Sequence, residues 1–284
     1  MDYISIINPG LFTTIQDGGR FGYRKFGIPV AGAMDQWAAG LANALLNKPI
    51  DAAVIEVIIK GPKIKFDCDT FLAISGANLS PSLDGKEVKN NSKIQASRGQ
   101  ILSFGAVQYG AIAYIAFSRE IKTETILGSK SYSKSITSPD RFYAGQQIIL
   151  EKEENNIPIL SSSVKPFLEH FNIQDIIAFE GPEFNLLNIE AKKKLLQESF
   201  VISREYSRMG YKLEGPQIKI KYAGTMISSA VIPGTVQLTP AGQLIILMND
   251  CQTTGGYPRI LQLSQSAINY IAQKKAGDKI FFRL

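Results

Sequence analysis

The chain has 284 residues, of which 45% are apolar, 20% charged and 10% aromatic, and its formal net charge is +6. This composition, with a mean hydropathy near zero, excludes an intrinsically disordered protein. No apolar run approaches the ~20 residues that a membrane helix needs, and the first residues lack the pattern of a secretion signal. The sequence therefore predicts a cytoplasmic protein with no membrane partner, of one large domain or two smaller ones.

Counts of reactive residues exclude several kinds of chemistry. The basic excess, 31 residues against 25 acidic ones, is mild and dispersed, so no nucleic-acid partner is expected. Cys68 and Cys251 fit no zinc or redox spacing, which suits a reducing compartment. His170 is the single histidine and is expected to be structural or solvent-facing; no metal site is predicted. The chain also lacks a Gly-x-Ser-x-Gly elbow and a P-loop, so its chemistry is expected to rest on carboxylates, arginine, tyrosine, amides and backbone donors.

Short segments bounded by Gly, Asn, Asp or Pro dominate the chain and predict β-strands. In chain order they are 54–59, 63–66, 71–75, 101–104, 111–117, 146–150, 176–179, 217–222, 235–238, 244–248 and 279–283. Three segments predict helices instead: 35–46, which Asp35 can cap, 185–198 and 264–273. Because no regular alternation of strands and helices surrounds them, the pattern predicts a mainly β protein built as barrels or sandwiches, with a few helices.

Two short motifs recur along the chain. RFGYR at 20–24 returns as RMGYK at 208–212, and GPKIKF at 61–66 returns as GPQIKI at 215–220. The recurrence predicts a duplicated β-barrel unit, with a boundary in the polar stretch 118–134. We accordingly expect two domains, 1–122 and 123–284, with an exposed loop over 151–163.

Three polar, glycine-rich clusters carry the candidate chemistry: 13–35, 207–216 and 249–259. Arg20 can pair locally with Asp17, or it can bind a carboxylate or phosphate as a fork. Arg208 can likewise be a structural ion-pair partner. Asp250 follows an apolar strand and can act as a base or ligand, and the Thr-Thr-Gly-Gly turn after it can point N–H groups at an anion. The alternative for this last cluster is an ordinary glycine-rich hairpin.

In this order the clusters resemble the biotin-dependent carboxyltransferase-like family. That family includes the C-type subunit of bacterial ATP-dependent 5-oxoprolinase, also called KipA or allophanate hydrolase subunit 2. The resemblance spans nearly the whole chain. It rests on TTIQDGGRFGY (13–23), GIPVAGAMD (27–35), RMGYKLEGP (208–216), PGTVQ (233–237) and QTTGGYP (252–258), with shorter matches at 41–43, 56, 61–62, 75–77 and 127–131.

The resemblance implies a cyclophilin-like fold of β-barrel units, two in tandem, and partner subunits B and A. It also implies the conversion of 5-oxo-L-proline to L-glutamate, with ATP used by the complex. Residue chemistry at the matched motifs suggests that Arg20 and Arg208 grip a carboxylate or developing phosphate. Asp250, with Asp17 as second choice, would orient or deprotonate, and these groups would converge on one recess for a small amide. The residues expected to bind that substrate are Gln16, Tyr23, Tyr211, Gln237, Thr253, Thr254, Gly255, Gly256 and Tyr257.

Two other functions remain open. One is a biotin-dependent carboxyltransferase acting on urea or a similar amide; biotin would come on a separate carrier, because no Met-Lys-Met carrier motif is present. The other is a non-catalytic regulatory binder of the B-type partner. Departures from the family pattern bear on this choice: Ser118 and Arg119 replace two glycines, Ser207 replaces Asp or Asn, and Ser229 replaces Glu.

Overall fold

The computed structural model describes residues 2–134, 136–151, 163–220 and 226–284. It divides into two compact units, the first made of Met1–Arg20 and Ala31–Phe167 and the second of Phe21–Val30 and Leu168–Leu284. The main division therefore falls at 167/168 and not at the predicted 122/123. The reason is strand pairing: the strand Gln147–Glu151 pairs with the N-terminal strand Tyr3–Asn8 and so belongs to the first unit.

In the residues described, the first unit consists of two antiparallel sheets and one helix. Its elements are β1 (Tyr3–Asn8), β2 (Phe12–Gln16), α1 (Gln36–Ala44), β3 (Val54–Ile58), β4 (Lys63–Phe66), β5 (Thr70–Asn78), β6 (Ser82–Leu83), β7 (Lys86–Glu87), β8 (Lys93–Ala96), β9 (Ile101–Ser103), β10 (Tyr109–Phe117), β11 (Glu120–Lys122) and β12 (Gln147–Glu151). The sheets have the orders β11-β12-β1-β4-β9-β6-β7 and β2-β3-β10-β5-β8. Apolar side chains of both sheets form one core, in which the rings of Phe66 and Phe117 meet edge to face at 6.5 Å.

Helix α1 begins where the sequence predicts it. The Asp35 carboxylate accepts a hydrogen bond from Ala38 N at 3.0 Å, the geometry of an N-cap. The sheet also fixes the position of Asp35, because the Asp35 N–H donates to the Tyr114 hydroxyl of β10 at 2.7 Å. That hydroxyl donates in turn to the fully buried Glu56 carboxylate at 2.9 Å, which also accepts from Met34 N. Burial raises the pKa of Tyr114 well above its usual value, so the phenol stays protonated and keeps donating.

The second unit is a closed barrel with a small two-stranded sheet beside it. Its elements are α2 (Glu169–Asn172), β13 (Asp175–Glu180), α3 (Ile189–Gln197), β14 (Phe200–Ser207), β15 (Gly210–Glu214), β16 (Ser229–Ala230), β17 (Thr235–Leu238), β18 (Leu244–Leu247), β19 (Thr254–Gly255), β20 (Arg259–Leu263), α4 (Gln265–Ala272) and β21 (Lys279–Arg283). The barrel order is β13-β20-β17-β18-β15-β14-β21, and the parallel pair β13–β21 closes it. The single histidine, His170, is buried against the rings of Phe171 and Tyr270.

The predicted mainly β fold class is confirmed, and the three predicted helices are present as α1, α3 and α4. Asn188 and Ser264 cap the latter two through their side-chain oxygens. The closed barrel is in the second unit, whereas the strands of the first are shared between two sheets. None of the helices in the described residues is long and apolar enough to cross a membrane.

Several local predictions differ from the structure. The recurring motif has two conformations, because 208–212 forms the β14–β15 hairpin turn while 20–24 is a loop leading into a 3₁₀ turn at Arg24–Phe26. Of the predicted strand 217–222, residues 217–220 form no strand and the rest lies outside the described residues, as does most of the predicted loop 151–163. The sequence predicted no strand at β1, β2, β6, β7, β8, β11, β14, β15, β16, β19 or β20. In β2, β14 and β15 polar residues mask the expected apolar alternation.

Candidate functional site

Asp17 and Arg20 both hold the loop 126–131 of the first unit. The Asp17 carboxylate accepts hydrogen bonds from two serine hydroxyls and one backbone N–H of that loop, at 2.6–2.7 Å. Arg20 is fully buried and donates to the carbonyl oxygens of Ile126 and Ser131 at 2.9 and 3.0 Å. Both predicted catalytic residues therefore shape this loop, Arg20 from a fully buried position and Asp17 from a half-buried one.

Gln16 is also buried in the first unit. Its side-chain amide donates to Thr14 Oγ1 and to the Tyr132 carbonyl oxygen, both at 3.0 Å. These contacts join strand β2 to the segment that follows the loop 126–131. The side chain predicted to bind the substrate amide therefore already donates two hydrogen bonds within the fold.

A cavity of about 340 Å³ lies beside Asp17 in the first unit. Its charged lining residues are two lysines, Lys48 and Lys130, and three acids, Asp17, Asp51 and Glu120. Lys130 pairs with Glu120, and that hydrogen bond holds the pKa of the Glu120 carboxyl below its usual value. The charges of this cavity largely compensate one another.

Arg208 and Asp250 form an ion pair in the second unit. Arg208 lies in the β14–β15 turn, and Asp250 follows β18. Two parallel bonds, Nε to Oδ2 and Nη2 to Oδ1, both measure 2.9 Å, and Asp250 N donates to the Arg208 carbonyl oxygen at 2.9 Å. The Arg208 side chain is 6% exposed and the Asp250 side chain 17%. The structure thus brings two predicted catalytic residues together as a bidentate pair.

The third polar cluster forms half of a two-stranded ribbon, by which we mean the segments 229–231 and 253–255. Strands β16 and β19 pair Ser229 with Gly255 and Ala230 with Thr254. One further bond, from Val231 N to the Thr253 carbonyl oxygen at 3.1 Å, extends the ladder. The hairpin alternative considered from the sequence is therefore wrong in topology, because the partner strand lies about 25 residues upstream and not next in the chain.

Gln237 lies beneath the ribbon, on barrel strand β17. Its amide nitrogen donates to the Tyr257 carbonyl oxygen, and its amide oxygen accepts from Gln252 Nε2, both at 3.4 Å. A Cβ atom on Gly255 would stand 2.5 Å from that amide nitrogen. Glycine therefore allows the ribbon to approach the buried amide closely.

A cavity of about 630 Å³ borders the loop Gln252–Tyr257 within the second unit. Its described lining includes Gly256, the 41% exposed Tyr257, apolar Ile218 and Leu238, and one cation, Lys219. No carboxylate belongs to that described lining. Such a surface suits a neutral or anionic ligand rather than a cationic one. Among the residues that the structure describes, no cluster of three or more His, Cys, Asp or Glu side chains could hold a metal ion.

The two remaining predicted tyrosines lie in different surroundings. Tyr211 is buried in the barrel, where its hydroxyl donates to the Ala272 carbonyl oxygen at 3.4 Å and its ring meets that of Tyr206. Tyr23 is half-buried at the start of the 3₁₀ turn in the segment 21–30.

The residues that depart from the family pattern make contacts within their own units. Ser118 Oγ accepts from Phe71 N, Arg119 pairs with Asp2, Ser207 Oγ accepts from Met209 N, and Ser229 Oγ donates to the Ile227 carbonyl oxygen. Ser229 is also the ribbon residue opposite Gly255. The Glu expected at this position would therefore have stood directly on the ribbon.

Two arginines beside the ribbon were not singled out from the sequence. Arg24 donates to the carbonyl oxygens of Val231 and Gln252, and Arg259 donates to the Ala230 carbonyl oxygen at 2.8 Å. Both lie at the end of motifs that the sequence did single out, RFGYR and the cluster 249–259. Their place in these motifs was the one sequence signal that could have identified them. The carbonyl oxygens that they bind near the ribbon belong to distant segments of the chain and leave no pattern in the sequence.

The model of the carboxyltransferase domain, subdomain A and B, matches residues 26–284, and the chain belongs to this family. The resemblance read from its motifs is confirmed. The C-type subunit of 5-oxoprolinase from Escherichia coli (strain K12) is 30% identical over 285 residues, which cover 98% of this chain and 90% of that relative.

Two solved structures are similar to this chain along nearly its whole length. TTHA0988 superposes with a TM-score of 0.87 at 26% identity, over 100% of this chain but 56% of its own, so the chain spans about half of that protein. The K. lactis urea amidolyase also gives a TM-score of 0.87, at 25% identity over 99% of this chain and 18% of its own.

Proposed function

We propose that the chain is the C-type subunit of an ATP-dependent 5-oxoprolinase, which opens the lactam of 5-oxo-L-proline to L-glutamate together with subunits B and A. The observation that carries the proposal is the similarity to the E. coli C-type subunit, which is 30% identical over 98% of this chain. In this proposal the chain works in a cytoplasmic hetero-oligomer, and ATP is a substrate of the complex.

The site proposed for this reaction is the loop Gln252–Tyr257 with its cavity. Attack on an amide carbonyl places negative charge on the carbonyl oxygen, and fixed N–H and O–H donors stabilise that charge. At the cavity the loop places the hydroxyl of Tyr257 and the backbone N–H of Gly256. The same loop also contains the hydroxyls of Thr253 and Thr254 and the N–H of Gly255. Lys219 at the cavity complements the substrate carboxylate.

Arg208 and Asp250 support this site in two ways. Their ion pair joins the β14–β15 turn to the residue that opens the segment 250–257. Asp250 acts as a base once Arg208 turns to the substrate carboxylate or to a phosphate, since one guanidinium fork binds either anion. Arg20, Asp17 and Gln16 contribute by shaping the loop 126–131 and the segment after it.

The test is reconstitution. The chain is co-purified with subunits B and A of the same organism, and ATP hydrolysis and glutamate formation are measured with and without 5-oxo-L-proline. We expect both to require all three subunits. Thr254→Ala and Tyr257→Phe should lower turnover, while Tyr143→Phe, an exposed tyrosine of the first unit, should not. An intact complex that forms no glutamate refutes the proposal.

A second candidate is biotin-dependent carboxyl transfer to urea, favoured by the superposition on the K. lactis urea amidolyase. A ureido ring is neutral and needs amide partners between apolar walls, and the cavity offers the backbone at 239–242 and the side chains of Ile218 and Leu238. When bound through a carrier, biotin would supply the carboxyl group. Inhibition of turnover by avidin supports this candidate. A complex that assembles but turns over no amide supports a regulatory binder instead.

A further inference from the structure

The ribbon is too short to be stable without contacts from other segments. Strands β16 and β19 contain two residues each, and isolated two-stranded ribbons are marginal in water even when longer. Its position must therefore be fixed from outside its own ladder. This matters because the second segment of the ribbon runs directly into Gly256 and Tyr257 at the cavity.

Two arginines supply that support from side chains. Arg259 donates to the Ala230 carbonyl oxygen, and Arg24 donates to the next carbonyl oxygen along, that of Val231. Arg24 also reaches the Gln252 carbonyl oxygen at 3.3 Å, immediately before the second segment. One guanidinium nitrogen, Nη2, thus joins the first segment of the ribbon to the residue that precedes the second segment.

The two arginines are anchored differently. Arg259 is fixed by Glu183 through Nε–Oε2 and Nη2–Oε1 bonds of 2.9 and 2.6 Å, and its own N–H donates to the same carboxylate. Arg24 comes from the segment Phe21–Val30, which belongs to the second unit although the chain on both sides of it belongs to the first. It lies beside the Cys251 thiol, whose pKa burial raises. The thiol therefore stays neutral and places no competing anion beside the guanidinium.

We propose that Arg24 and Arg259 are positioning residues that hold the ribbon and thereby set the loop Gln252–Tyr257 at the cavity. The segment 21–30 then contributes Arg24 to the support of the ribbon within the second unit. The turnover readout of this inference rests on the proposed function, but the loop itself can be observed in the isolated chain.

The first measurement is amide hydrogen exchange of Arg24→Ala in the isolated chain, with Lys25→Ala as the matched control. Lys25 is the exposed neighbour in the same segment, and its ammonium lies over the Phe26 ring. Loss of hydrogen bonds from a charged donor should speed exchange in peptides covering 226–232 and 249–258 by roughly ten-fold or more. Barrel peptides of β13 and β20 should not change. Unchanged exchange in the loop overturns the inference, whatever the activity of the complex.

The second measurement is turnover by the reconstituted complex. Arg24→Ala should raise KM and lower kcat together, because the loop binds the substrate in the ground and transition states. Added guanidinium ion should partly restore the rate, and Arg24→Lys should retain part of it. If Arg24→Ala does not fold, Arg24→Lys and Arg259→Lys carry both measurements. A wild-type complex without turnover refutes the proposed function and leaves the exchange result standing.

Discussion

The Arg208–Asp250 pair offers a quantitative test of whether these residues act in catalysis or only in folding. The Arg208 side chain is 6% exposed and makes two bonds of 2.9 Å to the Asp250 carboxylate. The substitution Asp250→Asn removes the negative charge and leaves the Arg208 charge buried. Removing one partner of a buried pair typically costs about 3–5 kcal/mol. Because the Asn carbonyl keeps one hydrogen bond and Asp250 is partly hydrated, we expect about 3 kcal/mol, or a fall in Tm on the order of 10 °C.

The double variant Arg208→Met/Asp250→Leu gives the contrast. It removes both charges and fills similar volume, so no buried charge is left unpaired, and its cost should be about 1 kcal/mol or less. Urea unfolding of the wild type, Arg208→Met, Asp250→Leu and the double variant closes a double-mutant cycle. Single variants as mild as the double variant would refute the reasoning from burial.

Turnover of the same variants separates the two roles. If the double variant recovers stability but not glutamate formation, the pair acts on the substrate. If it recovers both, the pair is only structural, and the roles proposed for Arg208 and Asp250 are wrong.

Three further predictions concern the fold. Tyr114→Phe leaves the N–H of the α1 cap and the buried carboxylate of Glu56 without their shared partner, so urea unfolding should show a loss of about 2–3 kcal/mol, against less than about 0.5 for exposed Tyr143→Phe. The hydrogen bond from Arg259 lowers the pKa of Glu183, so this pair stabilises the fold above the ordinary glutamate pKa of ~4.3. The Tm advantage of wild type over Glu183→Gln should therefore be full at neutral pH and shrink as pH falls through the lower folded pKa; a difference independent of pH contradicts this. Gly10 and Gly99 both have positive φ, but a Cβ at Gly10 would stand 2.3 Å from the Lys60 carbonyl oxygen and one at Gly99 meets nothing within 4 Å. Gly99→Ala should cost about 1 kcal/mol and Gly10→Ala roughly 3 kcal/mol or more, and equal costs in urea unfolding would mean that the clash is relieved elsewhere.

The sequence was sufficient to predict the elements that depend on contacts between residues close together in the chain. Asp35, the one cap named from the sequence, accepts from an N–H three residues on, a distance that the sequence itself sets. Asn188 and Ser264 cap α3 and α4 in the same way, and the predicted start of α3 at 185 was early. The Gly-rich clusters were likewise visible as candidate loops; Gly255 lies on the ribbon and Gly256 lines the cavity.

The sequence by itself determined the family, the mainly β class and the segments in which polar and glycine residues concentrate, since these depend on residue type and order. Only the tertiary structure decided which polar residues remain accessible. Gln16, Arg20 and Tyr211 have the chemistry of binding residues, yet the fold buries them. Each donates to a carbonyl oxygen more than 60 positions away in the chain. A buried polar group must find its partner wherever the fold places one, and no local pattern records that distance.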